Sequence, residues 1–261
     1  MSEVLRVSRQ GGIAHVTLAR PEVRNAFNAT LIAELRATFE DLSAEPATEL
    51  RGVVLAGEGR TFCAGADVEW MRAAVTLDVE DNERDAAAMQ AMFAAIDACP
   101  APVITRIQGA ALGGGMGLCA VSDIVIATGD ATFGFTETRL GIIPAVISTF
   151  VTPKIGPSHA RALFATGQRF DADRALRIGL VHEVVPDEAA LGARVAELIE
   201  ELKRAGPEAA RAAKVLVADL GQLSPAEARA EAVRRIARQR TSPEGQEGLS
   251  SFIEKRDPDW T

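Results

Sequence analysis

The chain has 261 residues, 48% of them apolar and 25% charged, and a formal net charge of −8 at pH 7. That length supports one large buried core. The acidic balance, with arginines interleaved among acids as in EARAEAVRRIARQR, argues against a basic nucleic-acid face. No apolar run reaches the ~20 residues of a membrane span, and the opening MSEVLRVSRQGG lacks a signal-peptide pattern, so a cytoplasmic protein is expected.

In chain order, VLRVSR and IAHVTLA flank Gly11-Gly12 and predict a hairpin. Leu31, Leu35, Phe39 and Leu42 follow at helical spacing, GVVLAG reads as a buried strand, VEDNERDAAAMQAMFAAIDAC as a helix and PVITRIQG as another buried strand. After a glycine-rich segment come DIVIAT and ATFGF, again strand-like. From about Pro186 the pattern is helical throughout, and Ser224, Pro225 and Glu227 form a capping-box signature. The fold class expected is α/β, built of strand–strand–helix units, followed by a helical C-terminal section. Cys63, Cys99 and Cys119 are widely spaced in apolar surroundings and read as buried free thiols.

The segment QGAALGGGMGLCAVSDIVIA, residues 108–127, carries three consecutive glycines and then Gly117. Glycine in series lets backbone approach something closely or adopt dihedrals that a Cβ forbids. A tight turn before a packed helix is one reading. A dinucleotide fingerprint is another, but the glycines do not follow their strand directly and DIVIAT ends in threonine rather than an acid. The third is an oxyanion hole: a first-turn amide of a helix lacks an internal partner and is a good donor to developing negative charge. A converging second donor is available in RTFCAGADVEWM, where Cys63-Ala64-Gly65-Ala66-Asp67 is a small-residue turn between strand and helix.

FCAGADVEWM, IQGAALGGGMGLCAVSDIVIA and ATFGFTETRLGIIP together resemble the enoyl-CoA hydratase/isomerase (crotonase) superfamily. The likeness runs from RPEVRNAFNATLIAEL to EGLSSFIEKRDPDW. It implies a crotonase-like spiral of ββα units over residues 1–195 and a helical trimerisation region over 196–261. It also implies an acyl-CoA thioester substrate, a homotrimer or dimer of trimers, and no metal or redox cofactor. The resemblance assigns the oxyanion donors to the N–H groups of Ala66 and Gly114 and the catalytic carboxylate to Glu137. The second glutamate of the two-glutamate hydratases, in their GGGCE, falls at Gly117. CoA contacts map to Arg24 and Ala26 in RNAFN, to Ala64 and Asp67 in the small-residue turn, and to Phe252 and Lys255 in FIEK. Where relatives carry GADIKEM this chain has Glu69, so a basic contact expected there is absent.

The stretch LGIIPAVIS followed by ATGQRFDADRALRIGLVHEVV most resembles bacterial methylglutaconyl-CoA hydratases and isohexenylglutaconyl-CoA hydratases. The substrate implied is a branched 2-enoyl-CoA, 3-methylglutaconyl-CoA first, hydrated to 3-hydroxy-3-methylglutaryl-CoA. On this reading Gly117 leaves room for the branched, anionic acyl group, and Arg72, Arg139 and His159 are candidates for its distal carboxylate. The alternatives are a Δ3,Δ2-enoyl-CoA isomerase using Glu137 alone, a binding protein without turnover, and RNA binding, which the acidic LIAELRATFEDLSAEPATEL disfavours. His182-Glu183 lacks the second histidine of a zinc motif, and neither G-x-S-x-G nor a P-loop is present.

Overall fold

The Gly11-Gly12 pair makes the first turn of the chain in the computed structural model, which describes residues 3–260. Both glycines hold left-handed φ, 55° and 78°, as a two-residue type I′ hairpin requires. The turn joins β1 (Leu5–Gln10) to β2 (Ile13–Leu18) with Gln10 opposite Ile13. Helix α1 (Ala29–Ser43) starts where the Asn28 side chain accepts the Leu31 N–H at 2.8 Å, and it buries Leu31, Leu35, Phe39 and Leu42 as the spacing predicts. Then come β3 (Gly52–Gly57), the short α2 (Val68–Ala74) and α3 (Val79–Asp97). After β4 (Val103–Ile107), the strand β5 (Ala110–Leu112) leads into α4 (Gly114–Ala120), which carries the glycine segment. Strands β6 (Ile124–Thr128) and β7 (Thr132–Gly134) precede a 3-10 turn at Thr136–Leu140.

Helix α5 (Ala145–Thr166) is broken at Gly156, whose φ and ψ of 78° and 153° lie between Pro153 and Pro157. The chain then runs through β8 (Arg169–Asp171), α6 (Ala172–Arg177) and β9 (Glu183–Val185). It finishes in α7 (Glu188–Arg204), α8 (Pro207–Leu220), α9 (Pro225–Thr241) and α10 (Pro243–Glu254). The predicted capping box of Ser224 and Glu227 opens α9.

The strands form a six-stranded sheet in the order β1-β2-β3-β4-β6-β9, parallel except for the β1–β2 hairpin. A second sheet, β5-β7-β8, is extended by the bridges Cys63–Ala111 and Phe27–Ala66. Successive turns of the chain therefore pass one strand through the large sheet, one short extended segment through the second layer, and then a helix. This is the α/β spiral of ββα units expected. Its consequence for function is that residues 27, 66, 111 and 134, far apart in sequence, lie side by side in one small layer.

The two faces of the large sheet bury different things. The main core lies between the sheet and helices α1, α3, α4 and α5, and contains Phe27, Phe62, Phe93 and Phe133. On the other face Ile13, Val54, Ile104 and Ile126 meet Leu191 and Val195 of α7, with Leu198, Ile199 and Leu202 packed against them. The boundary expected at 195/196 thus falls inside a helix that belongs to the core along its length. The next helix, α8, is tied to the same body by Arg211, which donates to Glu45 O and Leu50 O, and by Lys214, which donates to Asp123.

Candidate active site

Backbone hydrogen bonding singles out two amides. In the bridge between Phe27 and Ala66, the Phe27 N–H donates to Gly65 O at 2.7 Å and the Asp67 N–H donates to Phe27 O at 2.9 Å. The flanking peptides are therefore engaged on one side, and the N–H of Ala66 between them has no partner among the described residues. At the start of α4, Gly113 donates to Gly134 O at 2.9 Å and accepts from the Met116 N–H at 2.9 Å. Gly114, at the first helical position, has no carbonyl to reach. Unpaired backbone donors are rare away from water, and these two line the same cavity.

The glycines explain how the two turns come together. Gly65 and Gly113 both hold positive φ, 96° and 50°, a conformation glycine adopts freely. A Cβ on Gly65 would stand 3.0 Å from Leu112 O, while one on Gly113 would make ordinary contact at 3.6 Å with Gly65 Cα and Glu137 Oε1, so it is the positive φ that asks for glycine there. A Cβ on Gly114 would meet the Phe27 ring at 2.8 Å. The turns pack backbone to backbone, with no room for side chains at Gly65 and Gly114.

Glu137 sits in the 3-10 turn after β7 and faces the same cavity. Its Oε2 is buried and accepts no hydrogen bond among the described residues. Burial pushes its carboxyl up from the ordinary value, with only its own backbone N–H offering partial relief. The cavity holds about 390 Å³. Its walls are largely apolar, with Trp70 and Met71 from α2, Met89 from α3 and Ile142, Ile143 and Ile147 beyond the turn. Among the described residues, Asp85 and Glu137 are the only ionisable ones lining it.

The candidate CoA residues divide. Arg24 is exposed, with φ 57°, and its carbonyl accepts the Ala64 N–H at 3.0 Å, tying the Arg24 loop to the turn that carries Ala66. The other two have partners inside the protein. Ala26 is buried, its N–H donating to Val23 O at 3.2 Å and its carbonyl accepting from Arg20 Nη1, so its backbone is committed inside the protein. Asp67 caps α2 by accepting the Glu69 N–H at 2.8 Å and pairs with Arg20 at 2.6 Å. Burial alone would raise its carboxyl, but the Arg20 guanidinium and the helix amides outweigh that and hold it low. We expect Asp67→Ala to cost about 3 kcal/mol in urea unfolding, the range for breaking a covered ion pair, and Asp67→Asn, which keeps the cap, to cost less.

Phe252 and Lys255 stand at the end of α10, exposed and outside the lining of this cavity. None of the three cations considered for a distal carboxylate lines it either: Arg72 is held by Glu69 at 2.5 Å, and Arg139 and His159 are exposed. The room expected at Gly117 is also absent. A Cβ there would lie 2.5 Å from Phe93 Cζ and 2.6 Å from Ile147 Cγ2. Gly117 lets α4 pack flush against those two side chains and opens nothing. The cysteines are buried free thiols, with those of Cys63 and Cys119 pushed up to about 12 by burial.

Two features escaped the sequence. The apolar wall from α2, α3 and residues 140–147 has the spacing of ordinary core and carries no motif. Lys154 of α5 donates to Cys119 O at 2.8 Å and Ser122 O at 2.6 Å, capping the far end of the helix that begins at Gly114. Burial lowers its pKa to about 8. Among the described residues no helix is long and apolar enough to cross a membrane, and no group of three or more His, Cys, Asp or Glu could hold a metal ion.

Comparison with known proteins agrees with this geometry. Residues 8–261 match the family model described as "Enoyl-CoA hydratase/isomerase". A Rhodobacter capsulatus protein named "Probable enoyl-CoA hydratase" is 36% identical, the match covering 98% of this chain and 97% of that one. Among solved structures, Pseudomonas aeruginosa AtuE superimposes with a TM-score of 0.94 at 38% identity, over 99% of each chain. An enoyl-CoA hydratase from Shewanella pealeana gives 0.93 at 37% identity, over 98% of this chain and 96% of its own.

Proposed function

The chain belongs to the enoyl-CoA hydratase/isomerase family and is an enzyme of hydro-lyase type, and from that premise we propose that it adds water reversibly across the double bond of a 2-enoyl-CoA, with Glu137 as the general acid/base. The observation that carries this is the meeting of three groups in one apolar cavity: the unpaired N–H groups of Ala66 and Gly114 and the unpartnered carboxylate oxygen of Glu137. The thioester oxygen accepts both amides. As electron density moves onto it, Cβ becomes electrophilic, and each such donor is worth roughly 3–4 kcal/mol in the transition state. Glu137 takes a proton from water as the water oxygen bonds to Cβ, and returns it to Cα as the enolate collapses.

The apolar wall supports an uncharged acyl chain. The sequence resemblance favours 3-methylglutaconyl-CoA, but its distal carboxylate would find no cation on the cavity wall and would share the space with Asp85. The isohexenyl arm of isohexenylglutaconyl-CoA suits the wall better, though its carboxylate meets the same want of a partner. An isomerase reading is favoured by one specific observation: α4 offers no second acid, and a single carboxylate can carry a proton between Cα and Cγ. No metal or redox cofactor enters either scheme. Exposed Val217, Val233, Phe252 and Ile253 on the C-terminal helices support assembly as a homotrimer or dimer of trimers, in which Phe252 and Lys255 reach a neighbour's CoA.

The test is incubation with crotonyl-CoA, 3-methylglutaconyl-CoA, isohexenylglutaconyl-CoA and a 3-enoyl-CoA, with products resolved by mass. Gain of water on crotonyl-CoA with little on the dicarboxylic substrates is the expected result. Conversion of the 3-enoyl-CoA at unchanged mass, with no hydration of any substrate, would make the enzyme an isomerase.

A further inference from the structure

A second cavity of about 270 Å³ lies against the first, between α1 and α3. The two share Trp70 and Asp85. On α1 its wall is Ala29, Ala33 and Ala37, one residue per turn, with Ile32 beside them, and α3 contributes Ala88. Helices α1 and α3 pack through large side chains elsewhere, burying Phe39 and Phe93. Ala29, Ala33, Ala37 and Ala88 are exposed, so beside Trp70 this space is a groove open to solvent. Arg36 and Glu40, paired with each other at 2.7 Å and about half exposed, complete the wall.

Trp70 is half-buried, packed against the main core, and belongs to both linings. The reacting end of the first cavity is fixed by Ala66, Gly114 and Glu137, while α2 contributes Trp70 and Met71 and α3 contributes Met89 to its wall. Trp70 and Asp85, common to both linings, stand where the two spaces adjoin. We propose that Trp70 is a specificity-determining residue that ends the acyl site: its indole, the one apolar side chain common to both linings, shuts the second cavity off and restricts the enzyme to short acyl chains. This inference rests on the enoyl-CoA reading above and specifies the substrate class within it.

The experiment compares kcat/KM for crotonyl-CoA, 2-octenoyl-CoA and 2-dodecenoyl-CoA in the parent, Trp70→Ala, Trp70→Leu and Trp70→Ala/Ala33→Phe. Calorimetric binding of the unreactive butyryl-CoA and dodecanoyl-CoA is measured beside it. The parent should favour crotonyl-CoA. Trp70→Ala should raise the dodecenoyl-to-crotonyl ratio about 10- to 100-fold, within what pocket shape can supply. Trp70→Leu should fall between, and Ala33→Phe, refilling the second cavity, should reverse the gain. A ratio unmoved by Trp70→Ala, a gain that survives Ala33→Phe, or a parent that takes dodecenoyl-CoA as readily as crotonyl-CoA would overturn the proposal. If no enoyl-CoA is hydrated but dodecanoyl-CoA binding still tightens in Trp70→Ala, the hydratase reading fails and the role of Trp70 stands.

Discussion

Glu137→Gln should lower kcat on crotonyl-CoA by about 10³-fold, within the range for losing a general acid/base, and leave KM within a few-fold of the parent. Glutamine fills the same space against the same apolar wall but accepts no proton from water. Two pH measurements separate this from a merely structural effect. Burial raises the Glu137 carboxyl, so the acid limb of kcat/KM in the parent should lie above the usual carboxylate range and disappear from the residual activity of the variant.

Stability should move in the opposite direction to activity. A carboxyl whose folded pKa exceeds its unfolded one favours the folded state fully below the unfolded value, and that contribution is lost as pH rises through the folded pKa. The unfolding free energy of Glu137→Gln relative to the parent should therefore increase with pH from about 4.5 upward. A kcat within ten-fold of the parent would remove Glu137 from the chemistry. An unchanged stability difference across that range would mean that the carboxyl is not held away from solvent as the structure has it.

The parts of the site made from backbone were legible in the sequence, because backbone geometry constrains residue type. Gly65 and Gly113 must hold positive φ, and the small residues around them are the trace of two turns in contact. The hairpin at Gly11-Gly12, the helix carrying Leu31 to Leu42 and the cap at Ser224 follow from equally local rules. The acyl wall was not legible. Trp70, Met89 and Ile147 have the spacing of core residues and differ from core only in facing a space, which depends on how α2, α3 and α5 pack. No helix was predicted over α5, where Pro153, Gly156 and Pro157 surround a break between two helical stretches. That Arg20 bonds both the Ala26 carbonyl and Asp67 was not legible either, because a linear motif does not show which distant side chain meets it.

Gly117 gives the sharpest disagreement between pattern and packing, and replacing it should destabilise the fold. Alanine adds one carbon where Phe93 Cζ would stand 2.5 Å away and Ile147 Cγ2 2.6 Å away. Both neighbours are buried; Phe93 also packs edge-on against Phe27 with ring centroids 6.1 Å apart, and Phe27 in turn lies against Gly114. Phe93 cannot yield without pressing on Phe27, whose backbone bridges to Ala66. Gly117→Ala should cost about 1–3 kcal/mol in urea unfolding, the usual penalty of overpacking. Gly117→Glu, which restores the acid of the two-glutamate pattern, adds a buried charge to the same clash and should cost more.

The Gly117→Glu variant should gain no hydratase activity. In combination with Phe93→Ala, which costs about 3–5 kcal/mol alone, the total should fall short of the sum, because the second change vacates the space that the first demands. A Gly117→Glu protein as stable as the parent and faster at hydration would mean that α4 can shift to admit the carboxylate. The chemistry with one acid would then be a choice made at one codon. If the costs run as expected, it is instead fixed by the packing of Phe93 and Ile147 against α4, and converting this enzyme to the two-glutamate form requires rebuilding that helix face first.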